Sequence, residues 1–102
     1  MPSRKPRNSV LERNIQKAVV KRARLNGWYA KKFTSPASRS VPDYLFLKNG
    51  FVFWIEFKPT DGEPTEVQEE EHKKIRAKGG IVLVCDGVEL GYRMLNDMLI
   101  YT

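Results

Sequence analysis

The dipeptide Asn49-Gly50 constrains the fold of this chain more than any other feature of its sequence. It separates two runs rich in aromatic and β-branched residues, at positions 41–48 and 51–58. An Asn-Gly pair between such runs is a strong signal for a β-hairpin with a two-residue turn. A turn at these residues also sets the pairing of the strands, because opposed positions must then add up to a constant. The register predicts that Lys48 lies opposite Phe51 and that Asp43 lies opposite Glu56.

Two carboxylates would therefore face each other at the open end of this hairpin. Like charges directly opposed across two strands are destabilising, so this end either splays or holds a cation. Strand alternation divides the second strand into two faces: Val52, Trp54, Glu56 and Lys58 on one, Phe51, Phe53, Ile55 and Phe57 on the other. A Glu-x-Lys triplet alone is usually a surface ion pair, but Pro42-Asp43 at the matching register favours a metal site.

Charge is distributed unevenly along the 102 residues, whose net charge is +6. Residues 1–39 carry eleven Lys or Arg and one acid, whereas residues 40–102 carry seven Lys or Arg and eleven acids. A basic half beside an acidic half indicates a polyanionic partner. We expect residues 1–8 to form a flexible basic arm and residues 9–102 to form a single domain. Cations of the arm that would contact phosphates are Arg4, Lys5 and Arg7.

Composition argues against several other classes of protein. No apolar run reaches the roughly 20 residues of a membrane helix, and the basic, polar N-terminus does not resemble a secretory signal. The lone Cys85 excludes an internal disulfide and fits a reducing compartment; within an apolar strand it is a core residue rather than a nucleophile. We therefore expect a cytoplasmic protein with no membrane association and no nucleotide cofactor.

The remaining elements follow from apolar periodicity and end signals. The first helix is predicted to begin at Ser9, with Glu12 in a capping box, and to end near Asn26-Gly27; a strand follows at residues 28–33. The polar loop 34–40, flanked by Lys31, Lys32 and Arg39, is a candidate for substrate contact. A second helix is predicted from Thr65, with Gln68 in a second capping box, to Gly79-Gly80. His72 lies in its charged run and is predicted to be solvated.

A strand at residues 81–85 and a helix at 88–99 complete the order α-β-β-β-α-β-α. This order describes an α/β fold with a mixed sheet and flanking helices. The strand–helix–strand unit of residues 51–85 is expected to be a crossover between parallel strands.

The motifs Pro42-Asp43 and Glu56-Phe57-Lys58 resemble those of the PD-(D/E)xK nuclease superfamily. The continuation Lys58-Pro59-Thr60-Asp61-Gly62, followed by Thr65, Gln68 and Gly79-Gly80, is similar to its VRR-NUC (virus-type replication-repair nuclease) branch. This resemblance spans about residues 9–99 and implies a restriction-endonuclease-like fold. Ser40 departs mildly from the glycine often found just before the Pro-Asp.

The resemblance also implies roles for individual residues. Asp43, Glu56 and the Phe57 carbonyl would bind Mg²⁺ or Mn²⁺, with Glu12 completing the ligand shell or a second site. Lys58 would orient the attacking water or stabilise the transition state, and Gln68 would lie near the active site. For Glu12 and Gln68, the capping of a helix is a competing interpretation.

Small stand-alone members of this branch resemble structure-selective endonucleases that act as homodimers on four-way (Holliday) DNA junctions. The expected function is accordingly a metal-dependent endonuclease of branched DNA. The aromatic face of Phe51, Phe53, Ile55 and Phe57, or the final helix, could supply the dimer contact. The alternatives are a non-catalytic nucleic-acid-binding module and a nuclease subunit directed by a partner.

Overall fold

The structure, a computed structural model, describes residues 10–33 and 41–102. Its element order confirms the predicted α-β-β-β-α-β-α arrangement, closed by a short 3₁₀ turn. The predicted basic arm, with Arg4, Lys5 and Arg7, and the loop containing Arg39 lie outside the described residues. The elements are α1 (Glu12–Leu25), β1 (Tyr29–Lys32), β2 (Tyr44–Lys48), β3 (Phe51–Phe57), α2 (Glu66–Ala77), β4 (Val82–Cys85), α3 (Val88–Met98) and the 3₁₀ turn (Leu99–Tyr101).

The β2–β3 hairpin has the register that Asn49-Gly50 predicts. Lys48 pairs with Phe51, Leu45 with Trp54 and Tyr44 with Ile55. Asn49 and Gly50 both have positive φ, 50° and 83°, as a two-residue turn matched to the strand twist requires. The hairpin joins a four-stranded sheet of order β1-β2-β3-β4, in which β3 and β4 are parallel and the other neighbours antiparallel.

The two faces of the sheet are covered differently. Phe53, Ile55 and Phe57 are fully buried on the face against which α1 and α3 pack. Their burial corrects one expectation, because this aromatic face belongs to the core and cannot supply a dimer contact. On the opposite face α2 packs against β4, while the part over β1, β2 and the start of β3 stays open. Three apolar side chains that are 40% to 55% exposed there are Tyr29, Phe33 and Val52.

Contact between α1 and α3 depends on a glycine. A Cβ on Gly91 would lie 2.3 Å from Cγ2 of Val19, so the two helices approach more closely than any side chain at that position would allow. The final helix is thus fastened to α1 along this side. In the described ranges, no helix has the length and apolar content needed to cross a membrane.

The beginning of α1 differs from the sequence prediction. Leu11, not Ser9, occupies the N-cap position, and no side chain caps the helix there; Ser9 itself lies outside the described residues. Val10 is instead held to the loop after β3, where its N–H donates to Thr60 Oγ1 at 2.8 Å. Glu12 is therefore the first residue of the helix, and not its third as the sequence predicts.

The predicted start of α2 is confirmed. Thr65 is the N-cap, its N–H donates to Gln68 Oε1 at 2.9 Å, and its hydroxyl accepts from the Gln68 N–H at 3.2 Å. This reciprocal pair is a capping box.

Candidate metal centre

Four element ends bring ionisable side chains together at the open end of the hairpin. Glu12 begins α1, Asp43 precedes β2, Glu56 lies near the end of β3 and Lys58 follows it. Burial is the main cause of the raised pKa of Glu12 and of Glu56; the Asp43 charge adds to both shifts and the Lys58 charge opposes both. Three carboxyls and one ammonium group are thus close enough to act on one another through their charges, although their positions in the sequence span more than forty residues.

Asp43 is fastened to β3 through its side chain. The backbone pairing of β2 with β3 ends at Tyr44 and Ile55. Beyond this pair, the Phe57 N–H donates to Asp43 Oδ2 at 2.7 Å. The Asp43 carbonyl accepts from the Phe33 N–H at 2.8 Å. The N–H and C=O of a strand residue point to the same side, so the Phe57 carbonyl also points toward the β2 side, where Asp43 lies.

Glu56 has the most strongly shifted pKa in the cluster. The residue is only 1% exposed. Burial, a hydrogen bond with the Asp43 carboxyl and the Asp43 charge together raise its pKa to about 8. At neutral pH this carboxyl therefore keeps its proton in the free protein.

The pKa of Glu12 is also raised, for related reasons. Partial burial is the main cause of its raised pKa, followed by the charge of Asp43, and Lys58 and Lys32 oppose the shift. Since Leu11 is the N-cap and Glu12 makes no cap, its carboxylate is not committed to a structural role at the start of α1.

His72 is the residue that the sequence prediction misjudged. It is 1% exposed rather than solvated, and its Nε2 lies 3.3 Å from Glu56 Oε1. Burial, with a contribution from Arg76, lowers the pKa of the imidazole and so favours its neutral form. Neutral imidazole donates from Nε2 in one tautomer and accepts from a protonated Glu56 in the other. No local sequence signal marks His72, because the run around it is charged and reads as an exposed face.

Gln68 and the predicted DNA-contacting lysines lie outside this cluster. The Gln68 side-chain oxygen is used in the α2 cap, and among the described residues Gln68 has no hydrogen bond to the three carboxyls. Lys31 and Lys32 are adjacent on β1 and therefore point to opposite faces of the sheet. Only Lys32 acts on the cluster, through its charge effect on Glu12.

The donor set suits a hard divalent cation. Within the described ranges no three His, Cys, Asp or Glu side chains already form a preassembled metal cage. Burial and the Asp43 carboxyl nevertheless raise the pKa of Glu56, and a second carboxyl, Glu12, also has a raised pKa. Carboxylates and a backbone carbonyl are the ligands that Mg²⁺ accepts, and Mg²⁺ needs only one or two carboxylates because it keeps several waters. A cation that replaces the Glu56 proton would offset the repulsion among the three acids.

Comparison with known proteins finds a relative among phage proteins. A scan against models of protein families found no match. The protein called "Putative nuclease p44", from Acyrthosiphon pisum secondary endosymbiont phage 1, is 39% identical over 82 residues, which are 79% of this chain and 88% of the relative.

The fold also matches a solved structure. A chain described as a VRR_NUC domain superposes with a TM-score of 0.74 at 22% identity, over 83% of this chain and 94% of that one. At this level of identity the likeness concerns the fold, including the mixed sheet that carries the acidic cluster.

Proposed function

This chain belongs to the same family as the phage protein called "Putative nuclease p44", and on that premise we propose that it is a VRR-NUC nuclease that hydrolyses DNA phosphodiester bonds with a divalent metal. The observation that carries the proposal is the cluster of Glu12, Asp43 and Glu56 beside Lys58. A buried carboxyl with a pKa near 8 is unfavourable for a purely structural site, and it fits a site that is completed by a cation.

Asp43, Glu56, the Phe57 carbonyl and Glu12 are the groups that would hold Mg²⁺ or Mn²⁺. The cation would neutralise charge on the scissile phosphate and make a coordinated water more acidic. Asp43 is already oriented by the Phe57 N–H, and Glu56 is oriented by His72. Partners of this kind fix the direction of ligand side chains, and we assign His72 this positioning role.

Lys58 would act on the reacting groups themselves. Its ammonium charge lowers the pKa of both Glu12 and Glu56. The backbone N–H of Lys58 donates to the Cys85 carbonyl at 2.8 Å, which extends the β3–β4 pairing. A cation on a firmly held backbone can stabilise the charge that develops on the phosphate oxygens in the transition state. For Gln68 we propose at most an indirect role, because its side-chain oxygen is committed to the cap.

The substrate we propose is branched DNA, with four-way junctions cut by a homodimer. Paired incisions require two active sites related by a twofold axis. The open part of the sheet, with Tyr29, Phe33 and Val52 exposed, supplies apolar surface near the cluster for such a contact. Because its relative is a phage protein, we propose that the chain acts in the host cytoplasm.

The test is cleavage of a labelled four-way junction beside linear, flap and nicked duplexes of equal length. Each substrate is incubated with Mg²⁺, Mn²⁺ or EDTA. Lys73→Ala, at an exposed lysine of α2 whose ion pair is with Glu70, is the matched control for Lys58→Ala. The mass of the protein in solution is measured by light scattering in the same buffers.

The expected result is paired, metal-dependent cleavage of the junction by a dimer, lost in Lys58→Ala and kept in Lys73→Ala. Cleavage of every duplex would retain the nuclease and discard the junction selectivity. Tight binding without cleavage under any metal would replace the enzyme with a DNA-binding module. A monomer that cuts only with a partner protein would discard the homodimer.

A further inference from the structure

One side of α1 carries cations that none of the roles above uses. Their spacing of four, four and three residues puts them along a single face of the helix. This face lies away from the buried positions Ile15, Val19 and Ala23. The cations are Arg13, Lys17, Lys21 and Arg24.

These four side chains line a groove of about 530 Å³ between α1 and the sheet. The sheet contributes Lys32 and Tyr44, and Val20 adds a buried apolar floor. Five of the lining residues are cationic, and none of them is acidic. In the part of the chain that the structure describes, the one ion pair between a Lys or Arg and a carboxylate is Lys73–Glu70. Among these described residues, the groove therefore carries positive charges that no carboxylate neutralises.

The groove borders the metal centre at Glu12. Tyr44 lies between Lys32 and Ile55 in the sheet register, so these groove residues lie on the core face, which α1 covers. The Lys32 charge acts on Glu12, the first residue of α1, and Arg13 is the next residue. One end of the groove thus lies beside Glu12, and the lining extends to Leu25 at the end of α1.

We infer that this groove binds the phosphate backbone of the DNA strand that leads into the metal centre. The inference rests on the proposed function and adds to it the surface that guides the substrate. From Arg13 to Arg24 the helix rises by about 16 Å. The stripe is therefore long enough to contact more than one phosphate of the same strand.

Arg24 supports this assignment by its geometry. Its Nη2 donates to the Ala30 carbonyl at 2.9 Å, which holds the planar guanidinium in place while other N–H donors remain. A guanidinium fixed in this way is suited to bidentate contact with a phosphate. Lysines on a helix face, in contrast, bind phosphates as point charges and read no base sequence.

The experiment compares two double charge reversals that change the net charge equally. Lys17→Glu with Lys21→Glu alters the groove, and Lys73→Glu with Lys74→Glu alters the exposed face of α2. All proteins carry Lys58→Ala, so that a labelled four-way junction can be bound with Mg²⁺ present and without cleavage. Fluorescence anisotropy gives the Kd between 50 and 300 mM salt (roughly the range over which phosphate contacts are lost), and circular dichroism checks folding.

Each phosphate contact contributes about 0.9 to the slope of log Kd against log salt. We expect the groove variant to lose about 1 to 2 from this slope and to bind at least about tenfold more weakly at the lowest salt. The α2 variant should keep the parental slope. A milder pair, Lys17→Gln with Lys21→Gln, should show the same loss of slope if the charge reversal impairs folding.

Equal slopes and affinities for the groove, α2 and parental proteins would overturn the inference while leaving the nuclease intact. Failure of the proposed function looks different. In that case the wild-type chain, assayed in parallel, would neither bind nor cut any of the DNA substrates, and both proposals would fall together.

Discussion

At the turn of the β2–β3 hairpin, Asn49 and Gly50 adopt the positive φ angles that a tight turn needs, 50° and 83°. At the opposite end of the same two strands, about five residue pairs away, Asp43 and Glu56 come together. Burial and the Asp43 carboxyl raise the pKa of Glu56 there to about 8. The turn has the backbone geometry that strand pairing needs, whereas the open end gathers carboxyl groups in a place that disfavours their ionisation. One end favours folding, and the other lowers stability in a way that a bound cation would reverse.

This contrast indicates that function is located at the open end of the hairpin. A site that repels itself in the free protein is expected where binding, rather than folding, is under selection. Substitutions at the two ends should therefore have opposite signatures: losses of activity with neutral or improved stability at the open end, and losses of stability with normal activity at the turn.

The largest effect is expected for Lys58→Ala. Removal of one positioned cation from a phosphoryl-transfer site costs about 10²- to 10³-fold in rate, while junction binding in Mg²⁺ should change little. Single-turnover cleavage and anisotropy measure the two quantities. A Lys58→Ala protein that cuts as fast as Lys73→Ala would remove Lys58 from the reaction.

Glu56→Gln separates function from stability most directly. Cleavage should be lost, because the amide is a poor ligand for Mg²⁺, yet the free protein should be more stable than wild type at pH 8. We expect a gain of at least about 1.4 kcal/mol, the equivalent of one pKa unit, seen in urea unfolding with EDTA present. Lower stability of Glu56→Gln at pH 8 would contradict the proposed repulsion.

The pH dependence of wild-type stability follows from the same carboxyl. Between the ordinary pKa of 4.5 and the folded value of about 8, the folded state binds a proton that the unfolded chain releases. Stability must therefore fall as pH rises through this window. In EDTA we expect a decline from pH 6.5 to 8.5 that is absent in Glu56→Gln; a flat wild-type curve would show that Glu56 ionises normally.

His72→Leu should act on metal affinity through Glu56. Loss of a partner that orients a ligand typically weakens metal binding by about 10- to 100-fold, which electron paramagnetic resonance can follow by titration with Mn²⁺. His72→Asn retains a polar group at this place and should recover part of the affinity. If both variants bind Mn²⁺ like wild type, His72 serves packing alone.

The smallest effect is expected at the turn. Gly50→Ala requires positive φ of a residue with a Cβ, which costs about 1 kcal/mol, and no neighbouring atom lies within 4 Å to add a clash. Thermal unfolding should show a decrease in Tm of about 4–8 °C, while cleavage per folded molecule stays normal. Loss of activity in folded Gly50→Ala would mean that the two ends are coupled.

Several parts of the fold were predictable from local signals. The Asn-Gly turn determined the hairpin register, because two-residue turns leave one way to pair the flanking strands. Gly27, with φ of 88°, ends α1 as predicted, and the Thr65–Gln68 box begins α2. The predicted start of α1 was wrong: the N-cap is Leu11, and the Val10 N–H before it donates to Thr60, fifty residues away, a contact that no local signal marks.

The sequence by itself therefore determined the strands, their register and the meeting of Asp43 with Glu56, since each depends on neighbours in the chain. Tertiary structure alone decided that His72 lies against Glu56, that Phe53 and Phe57 face the core, and that the cations of α1 border a groove. These outcomes depend on which face of the sheet each helix covers. The docking of a helix is set by the packing of the whole core, and no short stretch of sequence specifies it.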